Sequence, residues 1–170
     1  TADSYRVNYV GIDLGIDGFA VASTKGEAKA FAETVSAVRQ ATRRPLILMS
    51  RVPEVAAAGL KALDGENALL YGADAANWEA MADLAKQAGA SLAVIAPSLD
   101  DLAELTQQIK SKGVEDLVLD PGGRDFGTFL FYSTQIRRLA LKKNFRPLGY
   151  PVIAFPGDSN DPSLELMLAA

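Results

Sequence analysis

Six short apolar runs, each followed by a stretch of helical period, recur along this sequence, and that beat leaves few folds open. The runs start near residues 18, 45, 68, 91, 115 and 150 and occupy 18–23, 46–49, 68–71, 92–95, 117–119 and 152–155. Continuous apolar runs this short match strands buried on both faces of a parallel sheet. Between them, Ala28, Phe31, Val35 and Val38 share one helical face, as do Trp78, Met81, Ala82, Ala85 and Ala88. Leu99, Leu102, Leu105 and Ile109 form a third such face, and Phe129, Tyr132, Ile136, Leu139 and Ala140 a fourth. Pro53 suits a helix start, Asn77 and Ser98 suit N-caps, and Gly89 and Gly113 suit helix ends. One more strand is expected over 7–12 and a last helix from Asp161.

Strict alternation in units of roughly 25–30 residues predicts a parallel sheet. A doubly wound open sheet and a (β/α)8 barrel both satisfy it. Six units in 170 residues extrapolate to about 250 residues for eight, the usual barrel size. The expected fold is therefore α/β, a TIM-barrel-like parallel sheet forming a partial barrel of about six βα units, in one domain over residues 1–170. The chain opens without Met and stops inside a helical pattern at Met167-Leu168-Ala169-Ala170, so a piece of a longer protein is expected.

Composition narrows the chemistry. The chain has neither Cys nor His, which removes disulfides, thiolate metal sites, iron–sulfur ligation and Cys or His nucleophiles. Any metal would have to be a hard cation on oxygen ligands, and acid–base work would fall to carboxylates, Lys, Tyr or water; no motif singles out either, so no metal site and no catalytic side chain is expected. Lys and Arg number 17 against 21 Asp and Glu, a net charge of −4, which argues against a nucleic-acid surface. No apolar run approaches the roughly 20 residues that span a bilayer, and the first ten residues lack a signal-peptide pattern. No membrane partner and a cytoplasmic location are expected. Arg137, Arg138, Lys142, Lys143 and Arg146 read as a solvated face near a helix C-terminus.

In either architecture ligands meet the C-terminal ends of the strands. Those ends carry Ser23 and Thr24; Ser50 and Arg51; Gly72 and Asp74; Pro97 and Ser98; Asp120, Gly122 and Gly123; and Gly157, Asp158 and Ser159. Asp120-Pro121-Gly122-Gly123 is the sharpest signal. An Asp follows three aliphatics onto the mouth of the sheet, where it can accept from a heterocycle, and the glycines keep the turn uncrowded. Asp74 and Asn77 come next, Asn77 either as a ligand contact or as a cap. The tripeptide Asp125-Phe126-Gly127 lacks any accompanying kinase motif and is set aside.

Read in order, GFAVASTKGEAKAFAETVSAV (18–38), RPLILMS (44–50), LLYGADAANWEAMADLAKQAGASLAVIAPS (69–98), LVLDPGG (117–123), IRRLALKKN (136–144) and LGYPVIAFPG (148–157) resemble the barrel domain of the corrinoid iron–sulfur protein large subunit, the gamma subunit of acetyl-CoA decarbonylase/synthase. The strand-end Asp-Pro-Gly and the loop after the third strand resemble, more distantly, pterin-binding barrels of the dihydropteroate-synthase type. The resemblance implies a longer protein with an iron–sulfur domain holding [4Fe–4S] and a corrinoid (cobalamin) domain, both absent from this stretch. It implies a methyl group taken from a methyl-tetrahydropterin by a methyltransferase partner and delivered to acetyl-CoA synthase, in the CO dehydrogenase/acetyl-CoA synthase pathway, and pairing with a small barrel subunit. Asp74, Asn77, Asp120 and Gly122 would then face corrinoid, pterin or partner. The alternative is a stand-alone pterin-binding methyltransferase or synthase. On this reading Asp120→Asn leaves stability within about 0.5 kcal/mol and lowers methyl transfer or ligand association about tenfold.

Overall fold

A computed structural model describes residues 2–158 and 161–169. A two-stranded antiparallel ribbon comes first, β1 (Arg6–Tyr9) and β2 (Ile12–Gly15), pairing Val7 with Leu14 and Tyr9 with Ile12. The single strand expected over 7–12 is thus corrected. Val10 and Gly11 both take positive φ (51° and 79°) and reverse the chain in two residues, as a tight hairpin requires. Val7, Tyr9, Ile12 and Leu14 share one face of the ribbon. On the other, Asn8 Nδ2 donates to Asp13 Oδ1 at 2.7 Å.

The main sheet has five parallel strands: β3 (Phe19–Ala22), β4 (Leu46–Met49), β5 (Leu69–Ala73), β6 (Ser91–Ile95) and β7 (Leu117–Asp120). They lie side by side in chain order, β3-β4-β5-β6-β7. A doubly wound sheet reverses its order at a switch point; this one does not. Right-handed crossovers that always advance in one direction put every helix on the same face, as in the wall of a barrel. The helices are α1 (Ala28–Ala41), α2 (Pro53–Ala62), α3 (Trp78–Ala88), α4 (Leu99–Ser111), α5 (Phe126–Lys142) and α6 (Pro162–Ala169).

Register decides which side chains meet those helices. Val21, Leu48, Leu70, Leu92 and Leu117 align across the five strands, and all five are buried. They join one cluster with Phe31, Val35, Val55, Met81, Leu102 and Ile109 from the helices. The next residue along each strand points to the concave face. There Ile47, Met49, Leu69, Ile95 and Val118 are half-buried, while Tyr71 and Ala93 at the centre of the sheet are buried.

Caps follow the sequence where the chemistry is simple. Ser98 Oγ accepts from the Asp101 amide, and Gly89 closes α3 in the left-handed region at φ 64°. Asp125, set aside above, is the N-cap of α5, its Oδ1 accepting from the Thr128 amide at 2.9 Å. The strand expected over 152–155 shrinks to one parallel bridge, Val152 to Leu119. Backbone bonds hold it there: the Leu119 amide donates to Pro151 O and the Ile153 amide to Leu119 O. Pro151 and Pro156 bracket the segment and lack donors, so the ladder cannot extend. The last helix forms as expected; Ser159 lies outside the described residues.

Gly59 is where α1 and α2 touch. A Cβ at this position would stand 2.6 Å from Phe31 Cε1 and 3.2 Å from Leu48 Cδ1. Gly59→Val should therefore overpack the helix–sheet layer and cost about 1–3 kcal/mol, read as a lower denaturation midpoint with an unchanged m-value.

Candidate functional site at the strand ends

The last residue of β7 carries the densest polar arrangement at the mouth. Leu117 and Leu119 turn toward the helices, so alternation sends Asp120 to the concave side. Its side chain is fully buried. A buried carboxylate survives only with partners, and Asp120 has four hydrogen bonds. Arg124 grips it with two, Nη1 to Oδ1 at 2.9 Å and Nη2 to Oδ2 at 2.7 Å. The Tyr71 hydroxyl donates to Oδ2 at 2.6 Å and the Gly122 amide to Oδ1 at 2.9 Å.

Local sequence explains how Arg124 gets back to Asp120. Gly122 takes φ 74°, and a Cβ on Gly123 would stand 2.8 Å from the Phe129 backbone. Two glycines therefore let the loop fold flat against the start of α5 and return Arg124 to the residue four before it. Tyr71 arrives from β5, where a register shift between Tyr71 and Ala73 bulges the strand. Phe155 closes the group, its ring 5.1 Å from that of Tyr71 and 4.7 Å from the Arg124 guanidinium carbon. Arg124 Nε also faces Asp158 Oδ2 at 3.5 Å. The cluster thus ties β5, β7, the loop into α5 and the 152–158 segment together.

Electrostatics follow from the geometry. Burial alone would push the Asp120 carboxyl up, but the bonds from Arg124, Tyr71 and the Gly122 amide, with the Arg124 charge, hold it below the usual carboxylate range. Burial, then the hydrogen bond to Asp120 and its charge, push the Tyr71 phenol up to about 12, against the opposing pull of Arg124 and Arg51. Tyr71 is a neutral donor at physiological pH.

The loop after β5 forms a second centre. Asn77 stands at the N-cap position of α3 but makes no side-chain cap bond. Its amide turns back: Oδ1 accepts from the Asp74 amide at 2.8 Å, and Nδ2 donates to Arg51 O at 2.8 Å and Gly72 O at 3.3 Å. Asp74 Oδ1 accepts from the Ala76 amide, and Oδ2 lies 3.8 Å from Arg51 Nη1. Asp74 and Gly122 meet on one mouth cavity of about 250 Å³, with Arg51, Ile95, Ala96 and Pro97. A neighbouring cavity of about 390 Å³ reaches Ser23, Met49, Ser50 and Tyr71.

Asp74, Asn77, Asp120 and Gly122, the expected site residues, therefore line or support one mouth, in two bonded pairs. The expectation that Asp120→Asn is a surface-like change is corrected, because the carboxylate is buried and saturated. Tyr71, Arg124 and Phe155 went unseen in the sequence. The only local signal was an Arg four residues after Asp120, beyond a Gly-Gly turn.

Residues 1–166 match the protein family described as CO dehydrogenase/acetyl-CoA synthase delta subunit. Over 151 residues the chain is 41% identical to the corrinoid/iron-sulfur protein large subunit of Moorella thermoacetica, covering 89% of this chain and 34% of that protein. It is 35% identical over 158 residues to acetyl-CoA decarbonylase/synthase complex subunit gamma 2 of Methanosarcina mazei, covering 89% and 33%. With the gamma subunit of Archaeoglobus fulgidus it shares 33% over 157 residues, covering 90% and 33%. The chain spans about a third of the length of these relatives.

Proposed function

The chain belongs to the CO dehydrogenase/acetyl-CoA synthase delta subunit family, and from that premise we propose that it is the barrel segment of a corrinoid iron–sulfur methyl-carrier protein. The whole protein would take a methyl group from a methyl-tetrahydropterin and pass it to acetyl-CoA synthase, paired with a small barrel subunit, in the cytoplasm. Among the described residues no helix is long and apolar enough to cross a membrane. The domain division is part of the same proposal: residues 1–170 supply barrel wall, and iron–sulfur and corrinoid domains lie elsewhere in the protein.

Neither redox centre fits this chain's own side chains. It has no Cys to hold a cluster and no His to ligate cobalt. Among the described residues no group of three His, Cys, Asp or Glu is placed to hold a metal. Cobalt chemistry belongs to the corrinoid, and the protein supplies position and environment. What this chain contributes is a shaped mouth. Asp74 and Gly122 form its proposed contact rim, with the buried Asp120 and the bonded Asn77 holding the loops behind it in place.

The single observation that carries this reading is the saturation of Asp120, which leaves the mouth's buried carboxylate without a free lone pair for proton transfer. The same observation weighs against the pterin-enzyme alternative, which needs Asp120 and Asn77 to offer open hydrogen-bonding atoms to a heterocycle. Calorimetry of the complete barrel with a methyl-tetrahydropterin separates the two. The scaffold reading expects no binding tighter than about 1 mM, some −4 kcal/mol. A micromolar dissociation constant that Asn77→Ala abolishes would favour the enzyme.

A further inference from the structure

Residues 126–157 contain Arg137, Arg138, Lys142, Lys143 and Arg146 and not one carboxylate, in a chain whose net charge is −4. Most of this stretch is α5, which buries Ile136 against the core. The opposite side carries Leu130, Thr134, Arg137, Arg138 and Leu141, at spacings of four, seven, eight and eleven from Leu130, which place them on one face. Phe131 borders it. Leu130, Phe131 and Leu141 are 53%, 58% and 73% exposed. Among the described residues none of the five cations is in an ion pair.

A solvated helix end accounts for part of this. Lys142 and Lys143 sit where cations complement the helix dipole, but Arg137 and Arg138 precede the last turn, beyond the reach of that effect. It offers no reason for Leu130 and Leu141 to stand exposed on that face, with Phe131 exposed beside it. An apolar centre flanked by arginines is the composition of a protein interface. A phosphate backbone would use the cations and leave Leu130, Phe131 and Leu141 wet. An anionic lipid surface would meet the excess of carboxylates carried by the rest of the chain.

We infer that this face of α5 is a docking surface for an acidic, apolar-centred face of another protein subunit. The inference rests on the proposed function, because the relatives named as subunits of a complex supply the setting in which such a partner occurs. Its occupant is recognised by chemistry: carboxylates opposite Arg137, Arg138 and Lys142, and apolar side chains opposite Leu130, Phe131 and Leu141.

The test uses the full-length protein and the other purified subunits of its CO dehydrogenase/acetyl-CoA synthase assembly. Two variants are compared, Leu141→Ser and the pair Arg137→Ala with Arg138→Ala. Each should raise the dissociation constant by about tenfold or more and leave thermal unfolding of the full-length protein unchanged; a lowered unfolding midpoint with subunit binding unchanged would give the face to another part of the same protein and overturn the inference. The arginine variant should also flatten the salt dependence of binding. Equal affinity of wild type and both variants overturns the docking surface and leaves the proposed function standing. Failure of the wild type to bind any other subunit overturns both. Concentration-dependent self-association, or binding to vesicles of 30% phosphatidylglycerol, that the variants abolish while subunit binding persists would give the face to a second copy or to lipid, and overturn the inference.

Discussion

Arg124→Met should destabilise the fold by about 3 kcal/mol, the low end of what removing one partner from a buried ion pair costs. The low end applies because the Arg124 side chain is 35% exposed, so water reaches the place it leaves. The cost comes from Asp120, which keeps its charge and loses two of four hydrogen bonds. Adding Asp120→Asn to that variant should restore part of the loss, since the orphaned charge is gone; the two changes are therefore non-additive. The acid limb has a definite sign. The folded carboxyl sits below its unfolded value, so its contribution is present above the unfolded pKa of about 3.9 and is lost as pH falls through the folded one. In Arg124→Met burial dominates, the carboxyl rises, and protonation relieves it. The stability gap between wild type and variant should narrow on acidification, and urea unfolding at two pH values measures it.

The second large effect separates the two faces of the sheet. Leu70 and Leu69 are neighbours on β5, yet Leu70 is fully buried against the helices and Leu69 is half-buried on the concave side. Leu70→Ala should cost about 2–5 kcal/mol through lost burial and the cavity left behind, lowering the melting temperature by roughly 2–4 °C for each kcal/mol in a chain of this size. Leu69→Ala should cost less than half as much. Denaturant unfolding of both variants checks the ranking, and equal losses would mean a sheet covered on both faces.

Much of this architecture was legible in the residues because the apolar runs are continuous and their punctuation is chemically direct. Leu46-Ile47-Leu48-Met49 reads as a strand, Gly89 as a left-handed cap, and Ser98 followed by Asp101 as a helix start. The hairpin was missed because Val10, a β-branched residue, sits at positive φ, where residue preference predicts continuation. The 152–155 strand was overdrawn because its hydrophobicity outweighed the two prolines that silence its ladder. At the site, Asp120 was legible from its place after three aliphatics. Its partners were not. Tyr71 is 49 residues away from Asp120 and 53 from Arg124, and only the closed turn at Gly122 and Gly123 brings the three together. Asn77 shows the converse: its position was read correctly, but its side chain is used across the loop, to Arg51 and Gly72, in place of the helix end.

On the proposed function the mouth is a charge-neutralised scaffold, and its buried carboxylate holds the fold and does no chemistry. A paired measurement on Asp120→Asn in the full-length protein, unfolding midpoint and rate of the proposed methyl transfer on the same preparation, decides this. The expected result is a loss of about 1–3 kcal/mol, as for a buried group left with an ill-matched partner, and a transfer rate per folded molecule within about twofold of wild type. An unchanged midpoint with transfer reduced tenfold or more would contradict it, and would make Asp120 a ligand-contacting residue.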